Sequence, residues 1–450
     1  MPSVFPQTFE QEAIWIADRF LGQPSPFLET WAQRITGPLD VPALERALAA
    51  LVARHAAFRT RFRLDDSGPV QDIDPDGTLV LERLPWPGGD LHDVLHRAGQ
   101  RPLDVAEGPA RLTLYELAPD EHVLLVQVHH IAVDDASLVL IDEELSALYA
   151  EQIGVATKAL PPLPDSTLGE YAVRRRASGV DPEDQAFWAE YLDGARPLNR
   201  LPPGPRPLPE RRGSECATVR GTITPELGGA LRARARSLRN TPTVLMTAGM
   251  ASTAAAVNGE DLVIVIGTPV SRRGDPELDG VIGCLTDLLP LRCQVPAEST
   301  LGEVCLGVKR SSLAVLRHRN MPYAKLGGGV ARTRRVLSGE HLGRICFGLD
   351  EAPGRLVLPG LHCERVYVGG ASAKFDWLQY VVADGKGWSV RADYPTAYFT
   401  AEEAETTLRQ WQTALAAVAA DADQPVRALL DRLAGIGRAA AVDQTRPAEG

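Results

Sequence analysis

Two adjacent imidazoles and two adjacent carboxylates stand four residues apart in the stretch Val126–Ser137, VQVHHIAVDDAS. An imidazole exchanges protons near neutral pH, which makes His129 and His130 candidates for general-base chemistry. Neighbouring side chains at a strand end point in opposite directions, so one ring can face a cleft while the other faces packing. That arrangement suits a single general base more than a two-histidine metal site. A pair of structural histidines fits the same pattern.

The elements around the pair would hold it in place. Residues 122–128 alternate and then merge into valines and leucines, as a largely buried strand does. Leu138, Ile141, Leu145 and Leu148 recur at helical spacing, so a helix is expected to begin close to Ser137. The histidines then occupy a strand-to-helix turn. Upstream, Glu10–Phe20 reads as a helix, Leu28–Ile35 as a strand and Val41–His55 as a helix capped by Asp40. Ala57–Arg63 and Thr78–Leu84 read as strands, and Ala110–Leu117 with His122–His129 as a hairpin.

Prolines and glycines thicken at Leu160–Pro164 and Leu198–Gly213, and the second run reads as an exposed connection. Asp181–Leu192, between them, is a predicted helix. Beyond them the pattern gives a strand at Ala217–Ile223, helices at Pro225–Leu238 and Thr243–Asn258, and a buried run at Leu262–Thr268. Strands are expected at Arg344–Leu349, His362–Gly369, Leu378–Val382 and Gly387–Tyr394, and a terminal helix at Ala401–Ala420. Both halves are α+β.

A chain of 450 residues exceeds one ordinary core, and two domains of roughly 200 residues are expected. The division is placed as 1–175 and 176–450. With 44% hydrophobic and 23% charged residues the chain is a folded one. A net charge of -11 argues against nucleic acid as a partner. No stretch is long and apolar enough to span a membrane, and the first residues lack the basic region and apolar core of a secretion signal. A cytoplasmic location follows, and the six cysteines, without CxxC spacing, read as buried thiols of a reducing compartment. No GxxxxGK[ST] loop, GxGxxG turn or GxSxG elbow occurs, and the glycine run Gly327–Gly329 lacks the lysine and hydroxyl of a phosphate loop.

The stretch His129–Asp134 matches the HHxxxD core of nonribosomal peptide synthetase condensation domains and of the wider carrier-dependent acyltransferase superfamily. Further segments resemble that family in the proper order. Glu10–Phe20 is similar to its opening SxAQxRLW segment, and Arg54–Phe62, RHAAFRTRF, to RHExLRTxF. Tyr171–Arg174 resembles its short tyrosine motif, and Gly267–Arg273 with Pro276–Leu278 its GxPxxxR…PEL segment. Ile282–Arg292 is similar to IGxFVNTLPLR, Arg317–Leu326 to HQxxPFxxL, and Phe375–Asp376 to the start of a Phe-Asp-Leu strand.

The resemblance implies two chloramphenicol-acetyltransferase-like lobes arranged as a V, with a tunnel between them that receives phosphopantetheine arms or small substrates. It implies attack of an amine, or sometimes a hydroxyl, on an acyl thioester. His130 matches the motif's second histidine and is expected to face the tunnel as the catalytic group, with His129 anchoring the turn. Asp134 is expected to form a structural ion pair with Arg273. Phosphopantetheine would come with an acyl- or peptidyl-carrier protein; no bound cofactor and no metal are expected. The acceptor would be an amine-bearing small molecule or a second carrier-bound substrate.

Three positions depart from the family pattern. Asp135 replaces a glycine, Asp287 an asparagine and Trp377 a leucine, and each is a candidate for tuning the channel or the acceptor. Asp135 and Asp287 keep open a non-catalytic docking module, beside an ester-forming enzyme that uses the same histidine. An epimerase, which needs a second base, is disfavoured. The chain resembles a free-standing condensation protein or an excised domain. Carrier docking is expected on the basic segment with Lys309, Arg310, Arg317, Arg319, Lys325, Arg332, Arg334 and Arg335, although a solvated helix face reads the same way.

Overall fold

The computed structural model describes residues 4–21, 24–163, 166–193, 215–259, 263–274, 276–322, 325–326, 344–350, 354–369, 372–383 and 387–443. The proline-rich run at 198–213 and the glycine run at 327–329 lie outside the described residues. In chain order the first elements are β1 (Val4–Pro6), α1 (Phe9–Leu21), β2 (Leu28–Thr36), α2 (Val41–Arg54), β3 (Thr60–Asp65), β4 (Gly68–Ile73) and β5 (Leu81–Pro85). Next come α3 (Leu91–Gly99), β6 (Ala110–Ala118), β7 (Glu121–His129), α4 (Asp135–Gln152), α5 (Leu168–Ala177) and α6 (Pro182–Tyr191). They are followed by β8 (Cys216–Ile223), α7 (Pro225–Ser237), α8 (Pro242–Asn258), β9 (Ile264–Ser271), β10 (Thr286–Cys293) and α9 (Leu301–Arg317). The last are β11 (Ile345–Asp350), β12 (His362–Tyr367), β13 (Trp377–Ala383), β14 (Trp388–Pro395), α10 (Ala401–Ala420) and α11 (Val426–Asp443).

Among the described residues the strands form three sheets, ordered β1-β4-β3, β12-β2-β7-β6-β5 and β10-β9-β11-β13-β14-β8. The chain divides into two compact units. The first comprises Met1–Gly179, Ser271–Asp287 and Pro353–Ser372, and the second Val180–Val270, Leu288–Ala352 and Ala373–Gly450. The expected split near residue 175 therefore needs amending, because two later segments join the first unit. The reason is strand pairing: β12 runs antiparallel to β2, with Arg365 opposite Gln33, and extends the first unit's five-stranded sheet.

Both faces of β7 are covered. Leu124 and Val126 pack with Leu44, Leu48 and Leu51 of α2 and Ile141 and Leu145 of α4. Val123 and Leu125 pack the other way, with Leu95 of α3 and Ala32 of β2. A central strand buried on both faces reads as a continuous apolar run, which explains the sequence of residues 122–128. In the second unit the strands pack with α8 and α10 around Phe347, Trp377 and Trp411.

Several expected boundaries shift. Ala56–Arg59 is a 3₁₀ turn and only Thr60 onward is strand. There Arg59 reaches back to the carbonyls of Val52 and Ala53, acceptors at the end of α2 that the helix itself leaves unpaired. The strand expected from Thr78 begins at Leu81, and a further helix, α11, follows the expected terminal one. No described helix is long and apolar enough to cross a membrane.

Candidate active site

The turn after β7 is built from backbone bonds before any side chain contributes. His129 donates its N–H to Pro109 O (2.8 Å), His130 to Phe27 O (2.7 Å), and Ala132 to His129 O (2.9 Å). These fix the point where strand becomes helix and set the two imidazoles apart.

His129 is buried (1% exposed). Its Nδ1 accepts from Ile131 N–H at 3.2 Å, so in the neutral ring the proton sits on Nε2. Nε2 faces Ser25 Oγ at 3.2 Å and Asp18 Oδ2 at 3.6 Å, and Ser25 in turn bonds Asp18. This ring ties the turn to α1. His130 is half-buried, and its Nδ1 lies 2.6 Å from the carbonyl of Val133. A carbonyl only accepts, so Nδ1 carries the proton and the lone pair of the neutral ring is on Nε2.

Asp134 caps α4 and is 2% exposed. Oδ1 accepts from Ser137 N–H (2.9 Å), Ser137 Oγ (2.7 Å) and Arg273 Nη2 (2.8 Å). Oδ2 accepts from Arg273 Nε (3.2 Å) and Leu285 N–H (3.1 Å). Arg273 also donates to Val281 O at 2.7 Å, and Gly283 N–H to Ser137 Oγ at 3.1 Å. A bidentate guanidinium and three further donors leave the buried carboxylate fully compensated. Sequence reasoning named Asp134 and Arg273 but not Ser137, Gly283 or Leu285. Of these, only Ser137 had a sequence signal, as the expected start of the helix.

A family model described as Condensation domain matches residues 2–431. The chain belongs to the condensation-domain family. The isonitrile lipopeptide synthase of Mycobacterium tuberculosis is 28% identical over 461 residues, covering 97% of this chain and 18% of that synthase. The chain thus spans a small part of the length of such relatives. The X-domain from teicoplanin biosynthesis superposes with a TM-score of 0.81 at 25% identity, covering 95% of this chain and 97% of that one. An X-domain from the same biosynthesis has been solved in complex with OxyB. The first condensation domain of the CDA synthetase gives a TM-score of 0.74 at 20% identity, over 94% of this chain and 98% of that one, a likeness of fold.

Against the condensation-domain pattern, the three departing residues sit in three different environments. Asp135 is exposed in the first turn of α4, where a carboxylate interacts favourably with the helix dipole. Asp287 is buried, 2.7 Å from Arg272 Nη2, and Arg272 Nε also donates to Glu10 at 2.8 Å. Burial works against the charged guanidinium, but Asp287 and Glu10 outweigh it and hold the Arg272 pKa above its ordinary value. The aspartate, unlike an asparagine, supplies a charge to Arg272. Trp377 has no exposed surface; it packs against Phe399 and Tyr394 and donates to Gln379 Oε1 at 2.9 Å. It belongs to the hydrophobic core of the second unit. Lys309, Arg310 and Arg317 lie on α9, Arg319 and Lys325 follow it, and Arg332, Arg334 and Arg335 lie outside the described residues.

Proposed function

We propose that the protein transfers an acyl or peptidyl group from a carrier-protein thioester to an amine, forming an amide. The His130 ring carries this reading: its Nδ1–H is committed to Val133 O, so Nε2 keeps a lone pair on a half-buried, backbone-fixed imidazole. The amine nitrogen attacks the thioester carbon, a C–N bond forms, and the C–S bond breaks. Nε2 accepts the proton that the amine loses and can return it to the departing phosphopantetheine thiolate. Positioning of the two substrates supplies much of the rate, so no covalent enzyme intermediate is needed. In this reading the phosphopantetheine belongs to the carrier protein and the reaction is cytoplasmic. The cations on and after α9 offer the carrier a surface of opposite sign.

A second reading is a module that recruits a carrier-bound intermediate or a tailoring enzyme without chemistry of its own. Asp135 in the glycine position and the 25% likeness to an X-domain favour it. Intact-mass analysis of the protein mixed with an acyl-loaded carrier, and with amine and hydroxyl acceptors of matched shape, separates the readings. The amide product is expected. An ester alone would move the activity to hydroxyl acceptors, and a bound, unconsumed thioester across all acceptors would favour recruitment.

A further inference from the structure

On α9 a face that points away from the second unit's core carries side chains that the reaction above does not use. Leu306, Leu313 and Leu316 are 46%, 48% and 41% exposed, while Val304, Cys305, Val308 and Val315 of the same helix are buried. At 3.6 residues per turn, Leu306, Arg310, Leu313 and Arg317 fall one above another, with Lys309 and Leu316 along one flank. Leucines and cations therefore alternate down one side of the helix. Lys309 donates to the carbonyl of Arg239, just past the end of α7. Neither Leu227–Asn240 nor Val304–Leu326 contains an aspartate or glutamate, in a chain whose net charge is -11.

We propose that this stripe is a docking face for an acidic amphipathic helix of a partner protein. Exposed leucines at helical spacing ask for an apolar stripe of the same period. The interleaved cations decide whose stripe it is. A second copy of this chain would set Lys309, Arg310 and Arg317 against themselves, a like-charge contact that disfavours self-association. A helix with apolar residues at matching spacing and carboxylates between them gives each leucine an apolar neighbour and each cation an opposite charge. The identity of the partner rests on the proposed function, in which a carrier protein delivers the thioester. The recognition itself does not depend on turnover.

The probe is a labelled acidic peptide of about five helical turns, with leucines at that spacing and glutamates elsewhere, titrated onto the full chain. Binding by fluorescence anisotropy should be accompanied by helix formation in circular dichroism. Affinity should fall at least about tenfold in Leu313→Gln and in the double variant Arg310→Glu, Arg317→Glu, and should weaken between about 50 and 200 mM salt. All these side chains are solvent-exposed, and wild-type melting temperatures verify each variant; Leu313→Gln reads the face even where the charge reversals disturb it. Unchanged affinity in folded variants overturns the proposal. So does equal binding of a proline-broken acidic peptide or of duplex DNA, which would make the surface a general anion sink. A dimer of the wild-type chain that Leu313→Gln dissolves in sedimentation would overturn it as well. Failure of amide formation with peptide binding intact would sink the enzymatic reading and leave the docking face standing.

Discussion

At the scale of single residues, the two histidines differ by which nitrogen the backbone claims. Ile131 N–H takes the lone pair of His129 Nδ1, whereas Val133 O takes the proton of His130 Nδ1. Only His130 is left with a basic Nε2 and some exposure. His130→Ala should therefore lower amide formation by about 10²–10⁴-fold while leaving the melting temperature and carrier affinity near wild type. Wild-type turnover in the folded variant would remove the histidine from the chemistry. Asp134 and Arg273 form a buried, bidentate pair, so stripping either partner should cost about 3–5 kcal/mol by leaving the other charge uncompensated. The double variant should cost less than the sum, and denaturant melts of the four proteins would expose a cycle without coupling. The pair itself could be named from the resemblance. Its other partners could not, because Leu285 N–H and Gly283 lie about 150 residues from the turn and carry no side-chain signal.

At the scale of elements, α4 is the helix that holds the turn, and it is gripped at two carboxylates with opposite titration behaviour. Glu144 meets His55 Nε2 at 2.6 Å and Arg54 Nε at 2.9 Å. Burial raises its pKa, but the bonds and charges of His55 and Arg54 prevail and hold it below the ordinary value. This gives the Arg54–Phe62 segment a structural purpose: it pins α2 to α4. Asp142 is pushed by burial up to about 6, against the opposing charge of Arg365 at 3.2 Å. A carboxyl whose folded pKa exceeds its unfolded one binds its proton more tightly in the native state. Its contribution is therefore most favourable below about pH 4 and is lost as pH rises through about 6, by roughly 3 kcal/mol. The stability difference between wild type and Asp142→Asn should shift against wild type across that window, and a pH-independent difference in denaturant melts would refute it. Gly354 lies against the same helix; a Cβ there would stand 2.9 Å from both Asp142 Oδ2 and the Val139 Cα. Gly354→Ala should destabilise by about 1–3 kcal/mol, read as a lower melting temperature, and an unchanged value would show that the contact yields freely. Helix α4 itself was legible, since its apolar spacing is local. Its start was read two residues late because Asp135 and Ala136 are not part of the apolar stripe.

At the scale of the whole molecule, the length and the α+β pattern of both halves pointed to two units, and the ordered motifs to the condensation-domain fold. What the sequence could not reveal is that the first unit is assembled from three pieces of chain. The strand at His362–Tyr367 has the same period as its neighbours, and nothing local states that it pairs with Trp31–Thr36 rather than with a strand of its own half. Asp134 is likewise completed by Arg273 and Leu285, which arrive from the second piece. The fragment Met1–Gly179 alone would lose three donors to a buried carboxylate and bare the hydrogen-bonding edge of β2 along six paired positions. An unpaired edge beside an uncompensated charge disfavours a single packed state. The fragment should therefore melt without a sharp transition, lack a near-ultraviolet dichroic signature and bind hydrophobic dye, whereas the full chain should not. A cooperative melt of residues 1–179 by themselves would mean that the turn can be held without its distant partners.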